Sequence, residues 1–162
     1  MLGGGGRDTI QTNSGNDQVK AGNGNDVVQA GAGEDFVKGG NGADKLFGRG
    51  GNDELYGNRG ADHLLGNLGN DTLIGGKGAD LLVGGEGEDV FVFQANGGDD
   101  QVVDFTSGTD LLDLTDFAFA NFEAIQDTLS ATENGTMMAL EGSMITLSGV
   151  DSTSLTVDDF MF

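Results

Sequence analysis

The sequence predicts an all-β fold: a solenoid of short parallel strands, coil stacked on coil, followed by a small β-rich cap. Three observations predict it: a strict nine-residue period over residues 3–92, a glycine and an aspartate at the same place in every period, and one apolar residue per period. From Gly3 the ten cells read GGGGRDTIQ, TNSGNDQVK, AGNGNDVVQ, AGAGEDFVK, GGNGADKLF, GRGGNDELY, GNRGADHLL, GNLGNDTLI, GGKGADLLV and GGEGEDVFV. Position four is Gly6, Gly15, Gly24, Gly33, Gly42, Gly51, Gly60, Gly69, Gly78 and Gly87. Position six is Asp8, Asp17, Asp26, Asp35, Asp44, Asp53, Asp62, Asp71, Asp80 and Asp89, and no other aspartate occurs between residues 3 and 92. By composition alone, 31 glycines and a net charge of -20 in 162 residues describe a chain too polar to fold. A lattice this regular has no place in a disordered linker.

Position eight is apolar throughout, from Ile10, Val19 and Val28 to Leu82 and Phe91. One inward residue per cell predicts a three-residue strand, with positions seven and nine facing outward and the other six residues making a turn. Glycine supplies positive φ in such a turn, and where position two is Asn or Arg the Asn is the more tolerable. Strand, turn, strand, turn closes a flattened coil of 18 residues. Aspartates 18 apart then stack at one strand spacing, about 4.8 Å, in two columns, one holding Asp8, Asp26, Asp44, Asp62 and Asp80 and the other the rest. Carboxylates that close repel by about 1 kcal/mol in water and by about 3 to 4 kcal/mol at an effective dielectric near 20. One buried side chain per nine ordered residues cannot hold such a coil. A hard divalent cation taking six to eight oxygens from carboxylates and turn carbonyls can, and calcium suits this better than magnesium, which wants a tight octahedron and keeps its waters.

The cells resemble the GGxGxDxUx nonapeptide of the RTX (repeats-in-toxin, hemolysin-type) family. The resemblance implies a right-handed parallel β-roll, with Ca2+ held between each turn and the turn two cells later by both aspartates and by carbonyls of turn positions one to four, including those of the position-four glycines. Pairing residues 18 apart gives about eight ions. The first cells depart from the pattern: Thr12, Ala21 and Ala30 replace the first glycine, and TNSGND lacks the second as well. Edge sites there are expected to be incomplete.

Residues 93–162 change character, with ten Asp and three Glu and no Lys or Arg. They are expected to form an acidic cap: a strand at QVVDF, a TSG turn, a strand at DLLDL, a short helix near NFEAIQDTL and a hairpin turning at Gly142-Ser143. With eight ions bound the roll would turn basic, so calcium is expected to make docking of this cap attractive. Position nine runs Gln11, Lys20, Gln29, Lys38 and then Phe47, Tyr56, Leu65, Ile74, Val83, Val92, which predicts an outer face covered from the fifth cell on, by the cap or by a second copy in a homodimer. Asp100, Asp104 and Asp110 are candidates for one further ion, or turn residues on a solvated face. DVFVF, DFTSGTDLLDL and GVDSTSLTVDDFMF resemble the segments that close RTX regions, which implies an uncleaved C-terminal signal for the type I secretion apparatus.

The charge argues against nucleic acid, and no apolar run is long enough for a membrane span. Without cysteine there are no disulfides or thiolate metal sites. His63, the one histidine, sits at an outward position without the partners of a catalytic site, so no enzymatic role is assigned. The repeats start at once, with no signal peptide, which predicts the C-terminal piece of a longer bacterial secreted protein. The expected function is a module that folds on calcium outside the cell and supports export and stability of an upstream cargo domain. The alternative is a polysaccharide- or surface-binding module, for which Phe36, Phe47 and Tyr56 are the outward aromatics.

Overall fold

Ten cells make a ladder of parallel strands in two facing sheets. The computed structural model describes residues 1–162. Strands β1 (Leu2–Gly5) and β2 (Thr9–Gln11) lead into eight strands of six residues: β3 (Gln18–Asn23), β4 (Val27–Ala32), β5 (Phe36–Asn41), β6 (Lys45–Gly50), β7 (Glu54–Arg59), β8 (His63–Leu68), β9 (Thr72–Lys77) and β10 (Leu81–Glu86). Odd strands build one sheet and even strands the other, each pairing in parallel with the strand two ahead, as in Val37 beside Leu55 and Leu46 beside Leu64. The register is the predicted 18 residues.

The strands are longer than the three residues expected. Positions seven to nine pair as predicted, and the ladder then resumes at positions two and three of the next cell, as Gly22 beside Gly40 and Asn23 beside Asn41. Position one faces inward as well: Ala21 and Ala30 are fully buried beside Val19 and Val28. The difference arises at position two, where every cell takes a positive φ, from Gly4 through Asn13, Arg49, Asn58 and Asn67 to Gly85. That reversal of φ lets the chain go on pairing while it swings toward the turn.

The position-eight side chains stack into one core with Val102, Leu112 and the buried residues of the cap. The cap belongs to both sheets. Strand β11 (Val90–Val92) pairs with β13 (Leu111–Asp113), and β10 pairs with β12 (Asp99–Val102), both in parallel. The expected helix is α1 (Phe122–Gln126), with Asn121 accepting the Ala124 N–H at its start. The expected hairpin is β15 (Gly135–Leu140) and β16 (Ser143–Ser148), with Leu140 opposite Ser143. Its turn falls at Glu141-Gly142, one residue early, because Gly142 takes the positive φ of 70°. Strand β14 (Leu129–Thr132) adds to its edge, and β17 (Phe160–Met161) closes the first sheet beside β13.

The cap does not lie over the position-nine stripe. Its strands prolong the ends of both sheets, so its mass sits beyond the last coil. Phe47, Tyr56, Leu65, Val83 and Val92 stay half-exposed, shielded by their neighbours in the ladder, while Ile74 is buried.

Candidate metal centre

The turn between strands is positions four to six. The glycine at position four has positive φ in all ten cells. A Cβ added at Gly42, Gly60 or Gly78 would land on the carbonyl oxygen of Gly24, Gly42 or Gly60 in the preceding coil, so no other residue fits. The carbonyls at positions three and six are spoken for: Gly24 N–H donates to Asn41 O, and Lys45 N–H to Asp26 O. None of the ten position-four carbonyls accepts a backbone hydrogen bond in the turns. Each points along the stack with its lone pairs free.

The aspartates complete the turn. Each from Asp8 to Asp71 donates its N–H to Oδ1 of the aspartate 18 residues later, at 2.8 Å from Asp26 to Asp44 and 2.7 Å from Asp44 to Asp62. From Asp26 to Asp89 their side chains are buried, while Asp8 and Asp17 at the open end are partly exposed. The second oxygen tells more. Oδ2 of all ten is enclosed and without any hydrogen-bond partner, and no other enclosed side-chain oxygen or nitrogen shares that condition. Folded proteins leave few buried polar atoms unpaired, and a charged one costs most. Position one is glycine in cells five to ten for the same reason: a Cβ at Gly48, Gly66 or Gly84 would meet Oδ2 of Asp53, Asp71 or Asp89. At the departing cells Asp26 and Asp35 are still buried, so Ala21 and Ala30 do not open the ladder.

Burial, aided by the neighbouring carboxylates, pushes Asp62 and Asp71 up to about 7, and Asp44, Asp53 and Asp89 to about 6. Such a column is relieved either by protons or by a cation. The donors are all oxygens, two carboxylates to each gap with carbonyls beside them, and nowhere do three acidic or histidine side chains converge. A zinc or copper site would need such convergence. An oxygen-seeking cation that accepts main-chain carbonyls does not.

Both columns run on past the tenth cell. Asp80 N–H donates to Asp100 Oδ1 at 3.0 Å, and Asp89 N–H to Asp110 Oδ1 at 3.1 Å. Asp100 and Asp110 are buried, not on a solvated face. Residues 95–103, ANGGDDQVV, and 105–113, FTSGTDLLD, thus act as two further cells, with Gly98 and Gly108 at position four and Val102 and Leu112 at position eight. The signal was present in the Gly-x-Asp spacing, hidden by the insertions Phe93-Gln94 and Asp104. Asp110 differs from the ten repeat aspartates, since its second oxygen accepts the Thr106 N–H at 2.7 Å. Asp104 leaves the column and takes the N–H groups of Gly84 and Gly85, both at 3.0 Å. His63 lies on the outer face between Lys45 and Leu81.

Stacked coils with enclosed, unpaired carboxylates along each edge define a cation-binding parallel β-roll. The model of the RTX calcium-binding nonapeptide repeat matches residues 2–37, 29–64, 38–73 and 56–91, more than half of the chain, which therefore belongs to that family. Such repeats bind Ca2+, and the buried aspartates stacked in each turn fit calcium sites. No curated protein sequence matches the chain. Among solved structures it is similar to the extracellular lipase LipA from Serratia marcescens, with 20% identity and a TM-score of 0.56 over 97% of this chain and 38% of the lipase. It is also similar to two subunits of the Azotobacter vinelandii mannuronan C5-epimerase. AlgE6R2 is 27% identical, with a TM-score of 0.59 over 77% of this chain and 91% of the subunit. AlgE6R3 is 22% identical, with a TM-score of 0.51 over 96% and 78%. The lipase and AlgE6R3 likenesses are of fold. The chain spans well under half of the lipase.

Proposed function

We propose that this chain is a non-catalytic calcium-binding module of a secreted bacterial protein, which folds on Ca2+ outside the cell and supports type I secretion and the stability of an upstream cargo domain. The observation that carries the reading is the set of ten enclosed Oδ2 atoms without partners, set among position-four carbonyls that are equally free. Pairs such as Asp44 with Asp62 and Asp53 with Asp71, together with carbonyls of Gly42, Gly51 and their counterparts, would hold the ions, about eight over the ten cells. Asp100, stacked on Asp80, extends one column by a step. Asp110 and Asp104 act through hydrogen bonds instead, because backbone N–H groups already occupy their oxygens.

Calcium, when bound, supplies positive charge between carboxylates that otherwise repel. The chain's own residues do the rest. Ionised and unpaired, the two columns oppose stacking, which keeps the chain extended where calcium is scarce and suits export. Glycines at positions one and four leave space for oxygens alone. The ordered roll then offers the end of both sheets to the cap. No proline or cysteine is present to slow that folding by isomerisation or disulfide exchange.

Circular dichroism and small-angle scattering of the full chain, with calcium and then with chelator, test the first part. The expected result is a β-rich compact particle that becomes an expanded chain on chelation. A spectrum and radius indifferent to chelator would refute it. Fusing the chain behind a reporter in a host with a type I exporter tests the second, with export expected only when residues 93–162 are present.

A further inference from the structure

The acidic ladders hide a basic face. Strands β1, β3, β5, β7, β9 and β11 contain Lys20, Lys38, Arg59 and Lys77, four of the chain's seven Lys and Arg, and a single acid, Glu54. In a chain of net charge -20 that is a strong local reversal. The strand register gathers these groups into two neighbouring rows. Lys20, Lys38 and Tyr56 stand side by side in one row, and Asn23, Asn41, Arg59 and Lys77 in the other. All of these point outward, with Lys20, Arg59 and Lys77 exposed.

The lone acid is engaged, since the Tyr56 hydroxyl donates to Glu54 Oε1. The ring of Tyr56 lies 5.4 Å from that of Phe36, and the Lys38 ammonium sits 4.8 Å and 5.0 Å from their centroids. Two adjoining depressions of about 350 and 370 Å³ open onto this face and share Lys38, Asn58 and Arg59. Cations, side-chain amides and an aromatic plate repeat along one open, linear surface, with no deep pocket for a small molecule.

We propose that this outer face of the first sheet binds a carboxylated polysaccharide lengthwise along the stack. Ammonium and guanidinium groups in register with strands about 4.8 Å apart meet carboxylates that recur along an extended polymer. The Asn23, Asn41 and Asn58 amides suit sugar hydroxyls, and the Phe36 and Tyr56 rings suit the apolar face of a pyranose. Nucleic acid is disfavoured, because a polyphosphate of high charge density meets the repulsion of the whole acidic chain. A sparser polycarboxylate lying on the face itself is governed by charges within about 8 Å at physiological salt.

The test uses the full chain in calcium buffer with sodium polygalacturonate as probe, followed by affinity electrophoresis and titration calorimetry. Binding that weakens with added salt is expected. The K38E/R59E double variant should lose roughly tenfold or more in affinity, and Y56A should lose several-fold at a smaller cost in salt dependence. The K45E/R49E variant, on the opposite sheet, should bind as the parent does. Circular dichroism in calcium verifies that each variant folds, so a failure of the calcium reading is seen separately from a failure of this one. The proposal is overturned if the folded, calcium-loaded chain does not retain polygalacturonate. It is equally overturned if neutral dextran or single-stranded DNA binds as well, or if K45E/R49E loses as much as K38E/R59E.

Discussion

Asp62 sits at the middle of its column, fully buried, with Asp44 and Asp80 on either side. Because it borders two gaps, Asp62→Ala is expected to remove two ions rather than one, measured as the calcium stoichiometry by titration calorimetry. Gly60 presents the other requirement of the turn. At φ 138°, with Gly42 O where a Cβ would go, Gly60→Ala forces a main-chain shift and should destabilise the calcium-loaded roll by more than about 1 kcal/mol, read as a lower melting temperature. Arg49 makes the opposite case. It holds a φ of 88° at a position that glycine fills in six of the ten cells, and its guanidinium donates to Gln29 Oε1 at 3.0 Å. An exposed hydrogen bond of that kind contributes less than the backbone strain it accompanies, which is about 1 to 3 kcal/mol. Arg49→Gly should therefore raise the melting temperature.

A single coil is a poor element by itself: two short strands, two inward apolar residues and two turns that crowd charge. It becomes stable only between neighbours, as stacked repeats do. Leu64 fills one such layer with Leu46 and Leu82 as its ladder neighbours, so Leu64→Ala should cost about 2 to 5 kcal/mol and make calcium-induced folding less cooperative, seen as a shallower titration by circular dichroism. At this scale the sequence was most legible. The period fixed the register, the two sheets and the two aspartate columns, because each depends on spacing alone. Strand length was not legible, since it turns on the φ sign at position two, and Arg49 or Asn67 gives no outward sign of taking a glycine conformation. The eleventh and twelfth cells escaped because two small insertions broke the spacing while the structure absorbed them as wider loops. The basic face was out of reach for a related reason: Lys20 and Lys77 are 57 residues apart and become neighbours of one surface only through the 18-residue register.

For the whole molecule, acid and calcium should act in opposite senses. Asp44, Asp53, Asp62 and Asp71 have folded-state values raised to about 6 or 7 by burial first and by the neighbouring aspartates second, against 3.8 when exposed. A raised carboxyl favours the folded form where it is protonated and loses that advantage as pH climbs through its folded value. In chelator, lowering the pH from about 7 toward 4 should thus increase β structure; in limiting calcium, the same change should release the ion and lower the melting temperature. Circular dichroism against pH in the two buffers separates these outcomes, and parallel curves would exclude the assignment. Truncation after Phe93 should raise the calcium needed for folding, since β10 and β11 would lose the strands that pair with their far edges.

The N–H of every repeat aspartate donates toward the C-terminus, from Asp8 to Asp26 and on to Asp80 and Asp100, so each of these turns is held by a carboxylate of the coil that follows it, and no donor of this kind reaches Asp8 or Asp17. At the far end the cap satisfies its own last carboxylate: Asp159 takes Gly108 N–H at 2.7 Å, Ser107 Oγ at 3.0 Å and Thr156 N–H at 2.6 Å. The roll is in this sense a one-dimensional crystal with one sealed face and one growing face. Its seed is the last part of the chain, and order should spread from there toward the N-terminus and melt back the other way, a gradient that hydrogen exchange resolves coil by coil.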